Sequence, residues 1–171
     1  MDHQFYPRKK IPCSEPDKQD AVWKVGKYVF RADFDSANLL YVRQGNSNCE
    51  VQLWTRQDCQ GTEHERGTRS WFHFGVSGHG PGDWVALNIM NINKQGKLFG
   101  QDYRPWFWRA SMAEWQPVNS KVIYKREDED FQLRFSFKFE SAEEVFFAFA
   151  IPFSYRENQV RGGVTGALQK G

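Results

Sequence analysis

Four histidines and three cysteines are the residues that could ligate a metal or activate a nucleophile in this chain. His3 lies in a polar N-terminal stretch, and His79 lies in Gly78-His79-Gly80-Pro81-Gly82, a turn sequence in which neither ring is expected to be held rigidly. Neither His-Glu-x-x-His nor His-x-x-Glu occurs, so the helical ligand pairs of zinc hydrolases are missing. Cys59 and His64, with Cys49 before them, come nearest to a metal cluster. Their spacing matches no zinc motif and a fourth ligand is lacking, so plain thiols and no bound metal are expected, Cys13 included. There is no Gly-x-Ser-x-Gly elbow and no Gly-rich phosphate loop opening a helix. Read from its residues alone, the chain is a binding or scaffolding module: a stand-alone partner for a peptide, a glycan or a single-stranded nucleic acid.

One segment concentrates unusual side chains. Asn91, Asn93, Lys94 and Lys97 lead into Arg104, Trp106, Trp108 and Arg109. Arginines among large aromatics can stack on bases or sugars, can pack against another domain, or can simply belong to a strand sheltered by a loop. The near-even charge, 23 basic against 21 acidic residues, gives no field of the kind that gathers nucleic acid, so that partner is disfavoured.

The elements that must carry these residues are strands. A length of 171 residues suits one ordinary domain, and 15 Phe with 7 Trp supply a large core despite a mean hydropathy of −0.71. Phe131, Leu133, Phe135, Phe137 and Phe139 alternate with Gln132, Arg134, Ser136 and Lys138, a period of two that no helix explains. Similar runs cover 28–34, 39–43, 49–56, 70–77 and 84–92, with weaker ones at 106–109 and 118–125. Residues 144–151 are apolar on both faces and are expected beside the 131–139 strand. Gly78–Gly82 reads as a hairpin turn, 125–130 as a solvated charged turn, and 111–115 as the one place for a helical turn. Roughly nine strands with short connections imply an all-β, antiparallel, jelly-roll-like sandwich. The expected divisions are an arm over 1–25, the sandwich over 26–158, and a Gly-rich linker or tail over 159–171. No secretory signal, no membrane span and no disulfide framework are visible, which points to a cytoplasmic setting.

Five strings, met in order, resemble the N-terminal domain of the cytosolic carboxypeptidases. Phe34-Asp35-Ser36-Ala37-Asn38-Leu39 is similar to "FDSGNL", and Trp54-Thr55-Arg56-Gln57-Asp58-Cys59 with Thr62-Glu63 to "WTRPDC…TE". Arg69-Ser70-Trp71-Phe72-His73-Phe74 resembles "NRxWFYF", and Asn88 to Gln95 with Lys97-Leu98-Phe99 resembles "NIMNMNKQSKLY". Phe147-Ala148-Phe149 and Pro152-Phe153-Ser154-Tyr155 resemble "FAFxYPFSY". Ala37 and Gln57 depart from the family's Gly and Pro, and 100–103 departs from its "SQGM". The resemblance implies a zinc metallocarboxypeptidase whose metal ligands, substrate arginine and general base lie in a following domain. No catalytic or metal-binding residue can therefore be carried onto this chain, which would hold no cofactor itself. The closest wording is that of the branch-point deglutamylases. Their implied partners are the chain's own C-terminal peptidase domain and, through it, polyglutamylated tubulin or other acidic-tailed proteins, with microtubule or nuclear association open. The resemblance also implies that Asn91, Asn93, Lys94, Lys97, Arg104, Trp106, Trp108, Pro152 and Tyr155 brace the domain interface or the rim of the substrate cleft.

Overall fold

The computed structural model describes residues 21–127 and 130–153. Among these residues eleven strands, against the roughly nine expected, form the two facing sheets that the alternation predicts, with one short helix. The strands are β1 (Val22–Val25), β2 (Tyr28–Arg31), β3 (Tyr41–Gln44), β4 (Glu50–Trp54), β5 (His73–Ser77) and β6 (Trp84–Ile92). After helix α1 (Gly96–Phe99) come β7 (Trp106–Trp108), β8 (Gln116–Pro117), β9 (Ile123–Glu127), β10 (Asp130–Lys138) and β11 (Val145–Ala148). The six-stranded sheet has the order β1-β2-β5-β11-β7-β8, and the five-stranded sheet β3-β4-β6-β10-β9. All pairings are antiparallel except β4 with β6, so the second sheet is mixed.

The core lies between the sheets, where inward residues of alternating strands meet. Phe72, Phe74, Leu87, Ile89, Leu133, Phe135 and Phe147 are almost completely buried. Phe147 of one sheet touches Phe135 and Phe137 of the other, with ring centroids 5.8 and 4.9 Å apart. Phe137 belongs to this seam but keeps some solvent contact, unlike Phe131, Leu133 and Phe135 on the same strand.

Several expectations are corrected. β11 is not beside β10; it pairs with β5 and β7 in the opposite sheet. Its double-sided apolarity has another cause: Phe147 faces the core, while Phe146 is roofed by Phe34 and Trp108. Gly78–Gly82 is not a hairpin turn, because β5 and β6 lie in different sheets and the segment carries the chain across the sandwich end. The helical turn falls at 96–99 rather than 111–115, since Phe99 must turn inward onto Phe131 and Tyr103. Val22–Val25, placed in the arm, is an edge strand with Ala21 buried beside it. Most of the expected arm, all of the expected tail, Ser154, Tyr155 and the tip of the 125–130 turn lie outside the described residues.

Candidate functional site

β4 and β6 end at the same edge at which β5 begins, and a web of amides joins them. Asn91 donates through Nδ2 to the Thr55 carbonyl, 2.9 Å, and its Oδ1 accepts from the Thr55 backbone N–H, also 2.9 Å. Asn93 accepts from the Arg69 N–H and donates its own N–H to the Arg69 carbonyl, both 2.9 Å. A side-chain amide can serve as donor and acceptor at once, so Asn at these places closes a sheet end that backbone pairing alone leaves open. From Arg69 the chain reaches Phe72, whose carbonyl accepts from Phe149 as the chain leaves β11. The Tyr103 hydroxyl donates to the Phe149 carbonyl at 2.7 Å, and burial pushes its pKa up. Arg104 donates to the Asn119 carbonyl at 3.1 Å.

The structure thus brings Asn91, Asn93, Arg104 and half-buried Pro152 to one end of the sandwich, with exposed Lys94 and Lys97 on the turn leading through α1. Trp106 and Trp108 stand apart, on the outer face of the six-stranded sheet. Trp108 is engaged with Trp115 and Phe146 and donates its indole N–H to the Met112 carbonyl, 3.0 Å. Arg109 pairs with Glu140 and Glu143. These side chains form a packed strand and loop, not an open platform for bases.

Two features of this region were not singled out residue by residue. The first is apolar: Leu98 (38% exposed) precedes Phe99, whose ring meets that of Tyr124 (42%), and Ile151 (54%) and Phe153 (59%) follow the last strand. Exposed apolar side chains that gather in one place mark interaction surfaces. The second is His73, read only as one histidine among four. It is buried among Phe34, Trp71, Trp115 and Phe146, with Ser36 Oγ 3.0 Å from Nδ1 and no partner for Nε2. Burial lowers its pKa to about 4, opposed by nearby Asp35. His79 is also held, contrary to expectation: it is buried, stacks on Phe139 at 3.6 Å, and its Nδ1 is 3.1 Å from the Ser141 carbonyl. The flat Gly-Pro sequence gave no hint of that stack.

The residues do not fit a catalytic zinc. His73 and His79 are caged separately, and His64 is exposed near Glu63. Cys59 is exposed while Cys49 is half-buried in a cleft with Lys27 and Trp84. Among the described residues no three His, Cys, Asp or Glu side chains gather, and no helix is long and apolar enough to cross a membrane.

A family model described as the cytosolic carboxypeptidase N-terminal domain matches residues 30–150. The Danio rerio cytosolic carboxypeptidase-like protein 5 is 36% identical over 155 residues, covering 80% of this chain and 18% of that protein. The Caenorhabditis elegans cytosolic carboxypeptidase 6 is 30% identical over 146 residues, covering 82% of this chain and 31% of that protein. The chain therefore spans about a fifth to a third of the length of these relatives. A putative carboxypeptidase A from Shewanella denitrificans shares the fold, with a TM-score of 0.57 at 22% identity over 82% of this chain and 33% of that one.

Proposed function

This chain belongs to the family of cytosolic carboxypeptidase N-terminal domains, and from that membership we propose that it is a non-catalytic domain packing against a C-terminal zinc peptidase domain. The observation that carries the reading is the exposure of Ile151 and Phe153 at the exit from the last strand, with exposed Leu98 on α1 and Tyr124 on β9. Interfaces between domains of one chain commonly cover about 600–1,500 Å². A patch beside the outgoing chain is where a following domain can reach with the shortest connection. Asn91, Asn93 and Arg104 hold the frame of that end, Lys94 and Lys97 border it, and Pro152 leads the chain away toward Tyr155, which lies outside the described residues. Trp106 and Trp108 stiffen the adjoining sheet. The parent enzyme would remove C-terminal or branch-point glutamates from polyglutamylated tubulin and similar acidic tails in the cytoplasm, using zinc held wholly by the second domain.

The test uses the full-length parent. Replacing Ile151 and Phe153 together by Ser should lower the yield of folded enzyme and its activity in parallel, with zinc content per folded molecule unchanged. Unaltered yield and activity would remove the interface from this end of the sandwich.

A further inference from the structure

The cleft at the start of β6 has no part in the domain interface and lies at the other end of the sandwich. β6 begins in the cleft at Trp84 and ends at Ile92, beside the amide bridges, and a strand of nine residues puts about 27 Å between the two. The cleft holds about 540 Å³, inside the range of about 300–1,000 Å³ that small-molecule sites occupy. Three connections wall it: the β1–β2 turn with Lys27, the β3–β4 connection with Gln44, Asn48 and Cys49, and the entry to β6 with Asp83 and Trp84. Hydrogen bonds fix these walls. The Tyr28 hydroxyl donates to the Trp84 carbonyl at 2.9 Å, the Ala86 N–H to the Cys49 carbonyl at 2.7 Å, and Gln44 Nε2 to the Ser47 carbonyl at 2.6 Å. Lys27 and Asp83, the two charged residues of the lining, pair at 2.6 Å and offset each other.

The groups left open are of few kinds. Trp84 is 50% exposed, and its indole N–H has no partner among the described residues. The exposed Asn48 carboxamide has none either, and exposed Gln44 keeps its Oε1 free to accept. Gly82 adds a stretch of bare backbone, with nothing within 4 Å of its Cβ position. From this lining we propose that the cleft binds a neutral, hydroxyl-rich ring, a mono- or disaccharide. A sugar presents a C–H face and an edge of hydroxyls that each donate and accept. A half-exposed indole offers flat apolar surface to the face, with a polar N–H at its margin. Carboxamides, which donate and accept in one plane, serve the edge, and the Lys27–Asp83 pair keeps spare protons and lone pairs for the same hydroxyls. An anion would compete with Asp83 for Lys27, and a cation with Lys27 for Asp83. A purely apolar ligand would strip water from the amides and the ion pair without replacing its hydrogen bonds.

The probes are maltose, cellobiose and N,N′-diacetylchitobiose, each added to the 171-residue chain. Binding is followed by saturation-transfer NMR on the sugar protons, and by the rate at which iodoacetamide alkylates Cys49, resolved by peptide mass analysis. At least one probe should bind saturably, with little dependence on salt because neither side carries unmatched charge. It should slow alkylation of half-buried Cys49 and leave that of exposed Cys59 unchanged. Trp84→Ala should weaken binding about tenfold. Asn48→Ala, at an exposed position, should weaken it about threefold and gives a second reading if the Trp84 variant fails to fold. Ile151→Ser, beyond β11, should change nothing. No saturable binding of any of the three sugars would overturn the proposal. So would binding that both cleft variants leave intact, or tighter binding of glucuronate or glucosamine than of all three. Sugar binding here and the interface at the exit from β11 stand or fall separately, since the two lie at opposite ends of the sandwich.

Discussion

His73 links the loop at 34–37 to the sheet, because its Nδ1 meets Ser36 Oγ while Trp71 Nε1 donates to the Ser36 carbonyl at 2.7 Å. Ser36 itself has a φ of +64°, a left-handed conformation that a non-glycine residue keeps only when held. The imidazole is neutral in the folded state, since burial lowers its pKa from 6.5 to about 4. The unfolded chain therefore binds the proton first, and stability contributed by this group is complete above about pH 6.5 and is lost as pH falls toward 4. The shift corresponds to roughly 3 kcal/mol at its limit. Buried His79 is shifted the same way and adds to the trend. Urea melts between pH 7 and pH 4 should show this decline, and His73→Phe should flatten much of it. A His73→Phe variant with the wild-type slope would show that the acid sensitivity lies elsewhere. At the seam of the sheets, Phe135→Ala should cost about 3–5 kcal/mol. Phe137→Ala should cost less, about 2 kcal/mol, because Phe137 already keeps some solvent contact. Chemical melts of the two variants should rank them in that order.

Among elements, the connection from β5 to β6 decides the architecture. Gly78 has a φ of +80°, and a Cβ there would collide with the Lys27 carbonyl oxygen. The chain leaves one sheet at this point and enters the other, passing close against the β1–β2 turn. Gly78→Ala should therefore cost about 1–3 kcal/mol or more, from conformational strain plus collision. Gly82→Ala, also at positive φ but with open space around its Cβ position, should cost less. Thermal melts that ranked the two the other way would mean that the crossing point tolerates displacement of the β1–β2 turn.

For the whole molecule, the apolar end has opposite consequences in isolation and in context. In the 171-residue chain, Ile151 and Phe153 remain open to solvent, so replacing both by Ser should reduce self-association without lowering the melting temperature. Light scattering against concentration measures the first effect and a thermal melt the second. A fall in melting temperature would place these side chains within the sandwich's own packing. The chain alone should release no glutamate from a polyglutamate peptide with or without added zinc. Metal-dependent release would overturn the non-catalytic reading.

The sequence determined the layers. Period-two alternation at 131–139 and in the runs around it is a local consequence of strand geometry, so the strands and most of the core could be read directly, and five ordered strings gave the family. Tertiary structure alone decided which strands are neighbours. The pattern of 144–151 said that both faces are covered, yet it could not tell a core strand of one sheet from one roofed by Phe34 and Trp108. The same holds for Gly78–Gly82: a tight glycine turn suits a hairpin and a crossing between sheets equally. Asn91 and Asn93 stood out as a motif, but their work as amide bridges depends on Thr55 and Arg69, which lie 36 and 24 residues away. The alignment of Arg43, Gln52, Asn88 and Arg134 across four strands could not be read at all, because register between distant strands is fixed by burial of the opposite face. Strand formation is local, whereas pairing, burial and charge alignment belong to segments that meet only in the folded chain.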